Sequence, residues 1–83
     1  MTAREYLNNY SGKLLEVELT NGENWIGVIV SASGSLSWDR PEPVNVDFDR
    51  VLDIEEYRRL GFQYDYKHET ISPKNIKKVT ILE

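Results

Sequence analysis

The clearest pattern in this chain is a pair of alternating apolar and polar segments, residues 14–20 and 23–30, joined by Asn21-Gly22. Alternation with a period of two is typical of strands that bury one face. Asn-Gly tolerates the positive φ angles of a tight turn, so the sequence predicts a β-hairpin here. A two-residue turn would place Val17 opposite Ile26 and bury both, whereas a longer loop would shift this pairing.

The first ten residues predict a short amphipathic helix. Thr2 and Glu5 have the spacing of a capping box, in which each side chain accepts a hydrogen bond from the other residue's amide. Tyr6, Leu7 and Tyr10 then form one apolar stripe. Because so short a segment stays helical only when it is docked, we expect it to cover one open end of a β-barrel rather than to bind a partner.

The pattern changes several times after the hairpin. Residues 31–37 are small and polar, which suits a bend or bulge at a barrel corner. Residues 38–43 contain two prolines and predict a loop. The alternation of Val44, Val46 and Phe48 then predicts a third strand.

Residues 49–60 carry apolar side chains at about every third position, which predicts an inserted helix. Asp49 is placed to cap its start, and Gly61 to end it. Three aromatic residues that follow alternate like a strand: Phe62, Tyr64, Tyr66. Alternation puts all three on one face, which is either part of the core or an exposed platform for a peptide or a base.

The C-terminal segment predicts a turn over residues 71–75 and a last strand over residues 76–82. We expect Ile76, Val79 and Ile81 to be buried in this strand. Two lysines in the same strand should be exposed, namely Lys77 and Lys78.

Composition narrows the class of protein. With 83 residues the chain predicts a single domain, residues 1–83. It has no cysteine and one histidine, which excludes disulfides, thiolate chemistry and a histidine-based zinc site within one chain. No apolar run is long enough for a membrane helix, and residues 1–5 lack the pattern of a signal peptide. We expect a cytoplasmic protein with no membrane association and no cofactor.

Charge limits the candidate chemistry further. A net charge of −4 argues against nucleic-acid binding over the whole surface. Lys74, Lys77 and Lys78 form a local basic group, which is either a contact patch or solvated charge. The acidic residues between 47 and 56 alternate with apolar ones, so they are more typical of a helix start than of a calcium loop. His68 has no partner at a catalytic spacing, so no enzyme is predicted.

Two stretches resemble the conserved motifs of the Sm and Sm-like family. The first is Leu15-x-Val17-x-Leu19-x-x-Gly22-x-x-Trp25-x-Gly27-x-Ile29, and the second is Ile71-Ser-Pro-Lys-Asn75-Ile76-Lys-Lys-Val79. The resemblance implies a mainly β fold, a small and strongly bent five-stranded Sm-like or SH3-like barrel behind an N-terminal helix, here with an inserted helix around residues 49–60. It also implies rings closed by pairing between edge strands.

The chain departs from the family at the positions that the resemblance links to RNA. Ser33 stands where the family has Asp, Ser37 where it has the base-contacting Asn, and Ser72-Pro73 where it has Arg-Gly. Only the apolar Leu36 between the first two positions is kept. The side chains that would hold a single-stranded base are thus largely replaced.

We therefore expect a non-enzymatic binding or assembly module that recognises protein, including other copies of itself. Self-association would use edge strands, for which the last strand and the strand at residues 44–48 are the candidates. An RNA-binding Sm-like protein is the alternative, and a small hydrolase or metal-dependent enzyme is the third reading. The candidate ligand-binding residues are Ser33, Ser37, Lys74, Asn75, Lys77 and Lys78.

Overall fold

In a computed structural model, which describes residues 1–34, 39 and 42–83 apart from the side chain of Phe62, five antiparallel strands form one sheet. The elements in chain order are α1 (Ala3–Tyr10), β1 (Leu15–Leu19), β2 (Asn24–Ser33), β3 (Asn45–Val51), α2 (Ile54–Leu60), β4 (Lys67–Ile71) and β5 (Ile76–Ile81). Short 3₁₀ turns span Gly61–Gln63 and Pro73–Asn75. The order in the sheet is β4-β3-β2-β1-β5. The predicted fold class, mainly β and barrel-like with an N-terminal and an inserted helix, is confirmed.

The hairpin between β1 and β2 is present, but its loop is longer than two residues. The amide of Gly22 donates to the carbonyl oxygen of Leu19 at 3.0 Å, and Gly22 has a φ of 91°. A turn that ends in a left-handed glycine adds one residue to the loop. Val17 therefore lies opposite Trp25 and not opposite Ile26, which is only half-buried.

The core is built mainly from side chains of β1, β2 and β3. Its largest fully buried side chains are Phe48, Leu15, Ile29, Val17 and Val46. The α1 helix begins with the predicted capping box and packs against β2 and β3. Its stripe contributes as expected, since Tyr6 is buried and two neighbours pack beside it, namely Leu7 and Tyr10.

Gly27 allows the closest approach in this core. A Cβ built on Gly27 would lie 2.2 Å from the carbonyl oxygen of Asp49 and 2.8 Å from two ring carbons of Phe48. Real Cβ atoms do not approach other heavy atoms so closely, so only glycine fits beneath the Phe48 ring. Further along β2 the pairing with β3 shifts between Ile29 and Ser31, directly before the predicted bend at residues 31–37. Residues 35–38, 40 and 41 of the predicted bend and loop lie outside the described residues.

The inserted helix is shorter than predicted. Residues 49–51 continue β3, because they pair with β2. The cap is Asp53 instead of Asp49, and its carboxylate accepts hydrogen bonds from the amides of Glu55 and Glu56. Gly61 ends the helix as predicted, with a φ of 61°. Apolar residues at every third position cannot distinguish the end of a paired strand from the start of a helix. The sequence therefore assigns residues 49–51 to the helix, although they belong to β3.

The strand predicted over the aromatic residues 62–66 is wrong. Gly61–Gln63 is a 3₁₀ turn, and β4 begins only at Lys67. Alternation alone could not show this, because the strand is fixed by pairing, and β3 pairs with residues 67–71.

The last strand and the turn before it are confirmed, but of the three residues predicted to be buried only Ile76 is. Ile76 is buried and Val79 is half-buried, but Ile81 is 48% exposed. Ile81 pairs with Leu15 at the end of β5, and no described strand lies beyond β5 to cover it.

Candidate interaction surface

The sheet leaves two strands with one free side. In the part of the chain that the structure describes, β5 pairs only with β1, and β4 pairs only with β3. The last strand was correctly predicted as an edge. The strand over residues 44–48, which is also predicted as an edge, is not one, because β4 pairs with the side of β3 that β2 leaves open. Edge strands present unpaired N–H and C=O groups that can bind another strand.

The β5 edge is charged at its start and apolar at its end. Lys77 and Lys78 are exposed as predicted, and the ammonium of Lys77 lies 3.8 Å from the carboxylate of Glu18. At the other end Ile81 is 48% exposed and Leu82 is 41% exposed. These two apolar side chains lack the charge that commonly blocks an edge.

The predicted basic residues follow one another along the chain, with Lys74 in the turn before β5 and Lys77 and Lys78 on β5 itself. Lys74 and Asn75 are exposed, and the carbonyl oxygen of Asn75 accepts a hydrogen bond of 2.9 Å from the amide of Thr20. This bond ties the turn to the hairpin loop. Among the described residues, neither Lys74 nor Lys78 forms an ion pair, so both charges face solvent.

The structure does not add Ser33 to this basic group. The hydroxyl of Ser33 donates to one carboxylate oxygen of Asp47 at 2.9 Å, and that of Ser31 donates to the other at 2.6 Å. Asp47 is only 8% exposed, so these bonds replace water around a buried charge. The predicted Ser37 lies outside the described residues.

A cleft of about 290 Å³ opens between the hairpin loop and the turn before β5. The residues that line it are Leu19, Thr20, Asn21, Trp25, Thr70, Ile71, Ser72 and Asn75. Of these described lining residues none is charged, and their mixture of apolar floor and polar rim suits a neutral group. Sequence reasoning named Trp25 and Asn75 separately but missed the cleft, since its walls come from segments far apart in the chain.

Trp25 is held in place by two side chains beside this cleft. Its indole N–H donates to the carboxylate of Glu23 at 3.1 Å. The guanidinium of Arg50 lies over the indole, 4.6 Å from the ring centroid, in a cation–π contact. Trp25 is half-buried and packs against the edge of the core.

His68 has an acidic partner that its sequence spacing did not reveal. Its Nδ1 lies 3.0 Å from an Asp49 carboxylate oxygen, and its Nε2 lies 4.0 Å from Asp47. The hydrogen bond to Asp49 raises the pKa of His68, and the negative charges of Asp49 and Asp47 raise it further. No described group of three or more His, Cys, Asp or Glu side chains is placed to hold a metal ion.

The predicted aromatic face is replaced by a tyrosine cluster. Tyr57, Tyr64 and Tyr66 meet edge to face, with ring centroids 5.3 to 6.0 Å apart. All three are half-buried. The Tyr64 hydroxyl accepts hydrogen bonds from the amides of Leu52 and Asp53, at 3.0 and 3.1 Å. The cluster fastens the start of α2, and is neither part of a core strand nor an open platform.

Comparison with known proteins gave no relative: no family model, curated protein or solved structure matches this chain. Within the described part of the chain, no helix has the length and apolarity that a membrane crossing requires. The geometry of this surface is therefore the basis for a functional proposal.

Proposed function

We propose that this chain is a non-enzymatic assembly module of the Sm-like type, which binds protein, above all further copies of itself, through edge strands β4 and β5. The observation that supports the proposal is a single sheet in which, among the described residues, the strand at each end of the order has one unpaired side. A strand from another chain can pair with such an edge through main-chain hydrogen bonds.

The two edges are suited to each other. β4 has five residues and β5 has six, so the two strands can pair along nearly their whole length. Because β4 and β5 are different surfaces of one protomer, pairing β4 of one copy with β5 of the next is head-to-tail, and it gives a closed ring if the rotation between copies closes. Exposed Ile81 and Leu82 would add apolar burial to the main-chain bonds.

Light scattering coupled to size exclusion tests this proposal. We expect a particle whose mass is two or more whole multiples of the 9.7 kDa chain mass. Ile81→Lys places a charge at the apolar end of β5, and should shift the particle to the mass of one chain. Leu52→Lys is the matched control, because Leu52 is 64% exposed and lies outside both edges, and it should leave the mass unchanged. A wild-type particle at the single-chain mass at high concentration would contradict assembly and favour a monomeric adaptor.

RNA binding is the second candidate, and the observation that favours it is two exposed lysines without a described ion pair, Lys74 in the turn and Lys78 on β5. Affinity for short single-stranded RNA, measured over a range of salt, separates the candidates. Phosphate contacts give a slope of about −0.7 in log K against log salt for each contact. If RNA is the ligand, Lys74→Ala and Lys78→Ala should each reduce this slope. If assembly is the function, RNA affinity should be negligible while the particle mass is retained. A cytoplasmic location stays a prediction from the sequence alone.

A further inference from the structure

His68 connects an edge strand to the interior of the sheet. It lies on β4, directly opposite Asp49 in the pairing with β3. One ring nitrogen is 3.0 Å from Asp49 and the other is 4.0 Å from Asp47, so the imidazole lies between two carboxylates of the neighbouring strand. β4 has no second neighbour among the described strands, so its cross-strand contacts with β3 hold it in the sheet.

The other charged groups near His68 do not compete for its two partners. On β4 itself the flanking Lys67 and Glu69 pair with each other at 3.3 Å, and the negative charge of Glu69 raises the pKa of His68 less than Asp49 and Asp47 do. Asp47 and Asp49 on β3 therefore face the imidazole as the nearest partners of opposite charge. Tyr66, just before β4, also lies close enough to Asp49 to feel its charge, but burial raises the pKa of Tyr66 above its ordinary 10, so it is neutral at physiological pH.

We propose that His68 is a pH-sensitive latch, in which the protonated imidazole fastens edge strand β4 to Asp49 and Asp47 of β3 and loss of the proton loosens it. The neutral ring can still donate one hydrogen bond to Asp49, but it no longer carries the charge that attracts Asp47. β3 keeps its other ladder with β2, so the loosening is confined to β4.

The direction of the pH effect follows from the proton balance. The pKa of His68 is raised above its ordinary value of 6.5, so the folded chain binds this proton more tightly than the unfolded chain does. The stabilising contribution is fully present below pH 6.5, and it is lost as the pH rises through the raised value. His68 is 62% exposed, so solvent screens the pair and the effect is modest.

This latch would regulate assembly, a consequence that rests on the proposed function because β4 is one of the two pairing edges. The latch itself does not depend on assembly. It can be measured within one protomer, in the Ile81→Lys variant if the wild-type chain forms a ring.

The first test is an NMR titration of the imidazole ring. The chain has one histidine, so its ring signals are assigned without further variants. The starting chain is the wild type, or Ile81→Lys if the wild type forms a ring. We expect the pKa of His68 to lie above its ordinary value in the starting chain. It should fall towards that value in Asp49→Asn, and by less in Asp47→Asn. An ordinary pKa in the starting chain would overturn the latch, and so would an unchanged pKa in Asp49→Asn.

The second test is hydrogen exchange of the β4 amides at several pH values, expressed relative to the intrinsic exchange rate at each pH. Protection of residues 67–71 should fall about 1.5- to 5-fold as the pH rises through the titration, which is the range for an exposed ion pair. Residues 15–19 of β1 are the internal control and should not change. In His68→Gln, which does not titrate, the pH dependence of β4 should disappear. The latch is wrong if the protection of β4 in His68→Gln falls by the same factor as the pH rises. It is also wrong if the protection of β1 falls in parallel with that of β4.

Discussion

The central strands β1, β2 and β3 and the peripheral segment, residues 52–66, are held in different ways. The centre is dry: Leu15, Val46 and Phe48 have no exposed surface. The peripheral segment contains α2, which has no buried residue. Within the segment, the Tyr64 hydroxyl and the ring contacts of the tyrosine cluster hold its residues to one another. One part of this chain is therefore held by close packing and the other by directional contacts at the surface.

This difference decides how each region responds to change. Packing is intolerant, because a dense interior cannot accept or lose a methyl group without strain or a void. When an exposed hydrogen bond or ion pair is lost, water replaces the missing partner. The loss therefore lowers the free energy of unfolding by only about 1 kcal/mol or less. We expect substitutions in the centre to affect the whole fold and substitutions in the peripheral segment to act locally.

The largest effect should come from Gly27→Val. The new side chain would meet the Asp49 carbonyl oxygen and the Phe48 ring at distances that require movement of the backbone. We expect a loss of about 3 kcal/mol in the free energy of unfolding, at the upper end of typical overpacking. Urea denaturation measures it.

Thr80→Val is the control for this change, because it places the same side chain at an exposed strand position, and should cost less than about 0.5 kcal/mol. Similar stability of the two variants would show that the centre is not closely packed at Gly27, and would remove the basis of the contrast.

Tyr64→Phe should have an intermediate and local effect. It removes the acceptor for the amides of Leu52 and Asp53 but keeps the ring in the tyrosine cluster. We expect a loss of about 1 kcal/mol in the free energy of unfolding. Hydrogen exchange should become faster at the start of α2 and should not change at β1. Tyr10→Phe is the control, since the Tyr10 hydroxyl makes no hydrogen bond with the described residues. Faster exchange throughout the sheet would mean that the two regions unfold as one unit.

Arg58→Ala should have the smallest effect. The Arg58 guanidinium lies 3.1 Å from the carboxylate of Glu83, which joins α2 to the C-terminal end. The side chains are 63% and 53% exposed, so we expect a loss of at most about 0.5 kcal/mol, and none in high salt. Lys74→Ala removes a lysine with no described ion pair, and should be neutral at all salt concentrations. A salt-independent loss in Arg58→Ala would indicate packing by its aliphatic part instead.

The candidate surface was partly predictable from the sequence. The basic turn and the free β5 edge follow from residues that are close together in the chain, namely Pro73, Lys74 and Lys77. The other edge and the contact between His68 and Asp49 do not, because both depend on which strand β4 joins. The cleft beside Trp25 was missed for the same reason.

What the sequence determined by itself is local. The capping box at Thr2, the left-handed turn at Gly22 and the strand around Val46 each depend on neighbours within a few residues, and all three are present. Pairing register is different, because it depends on contacts between distant segments that a periodic pattern does not encode. Only the tertiary structure decided that Trp25 lies opposite Val17, that strand pairing extends β3 beyond Asp49, and that the aromatic segment before β4 folds as a turn.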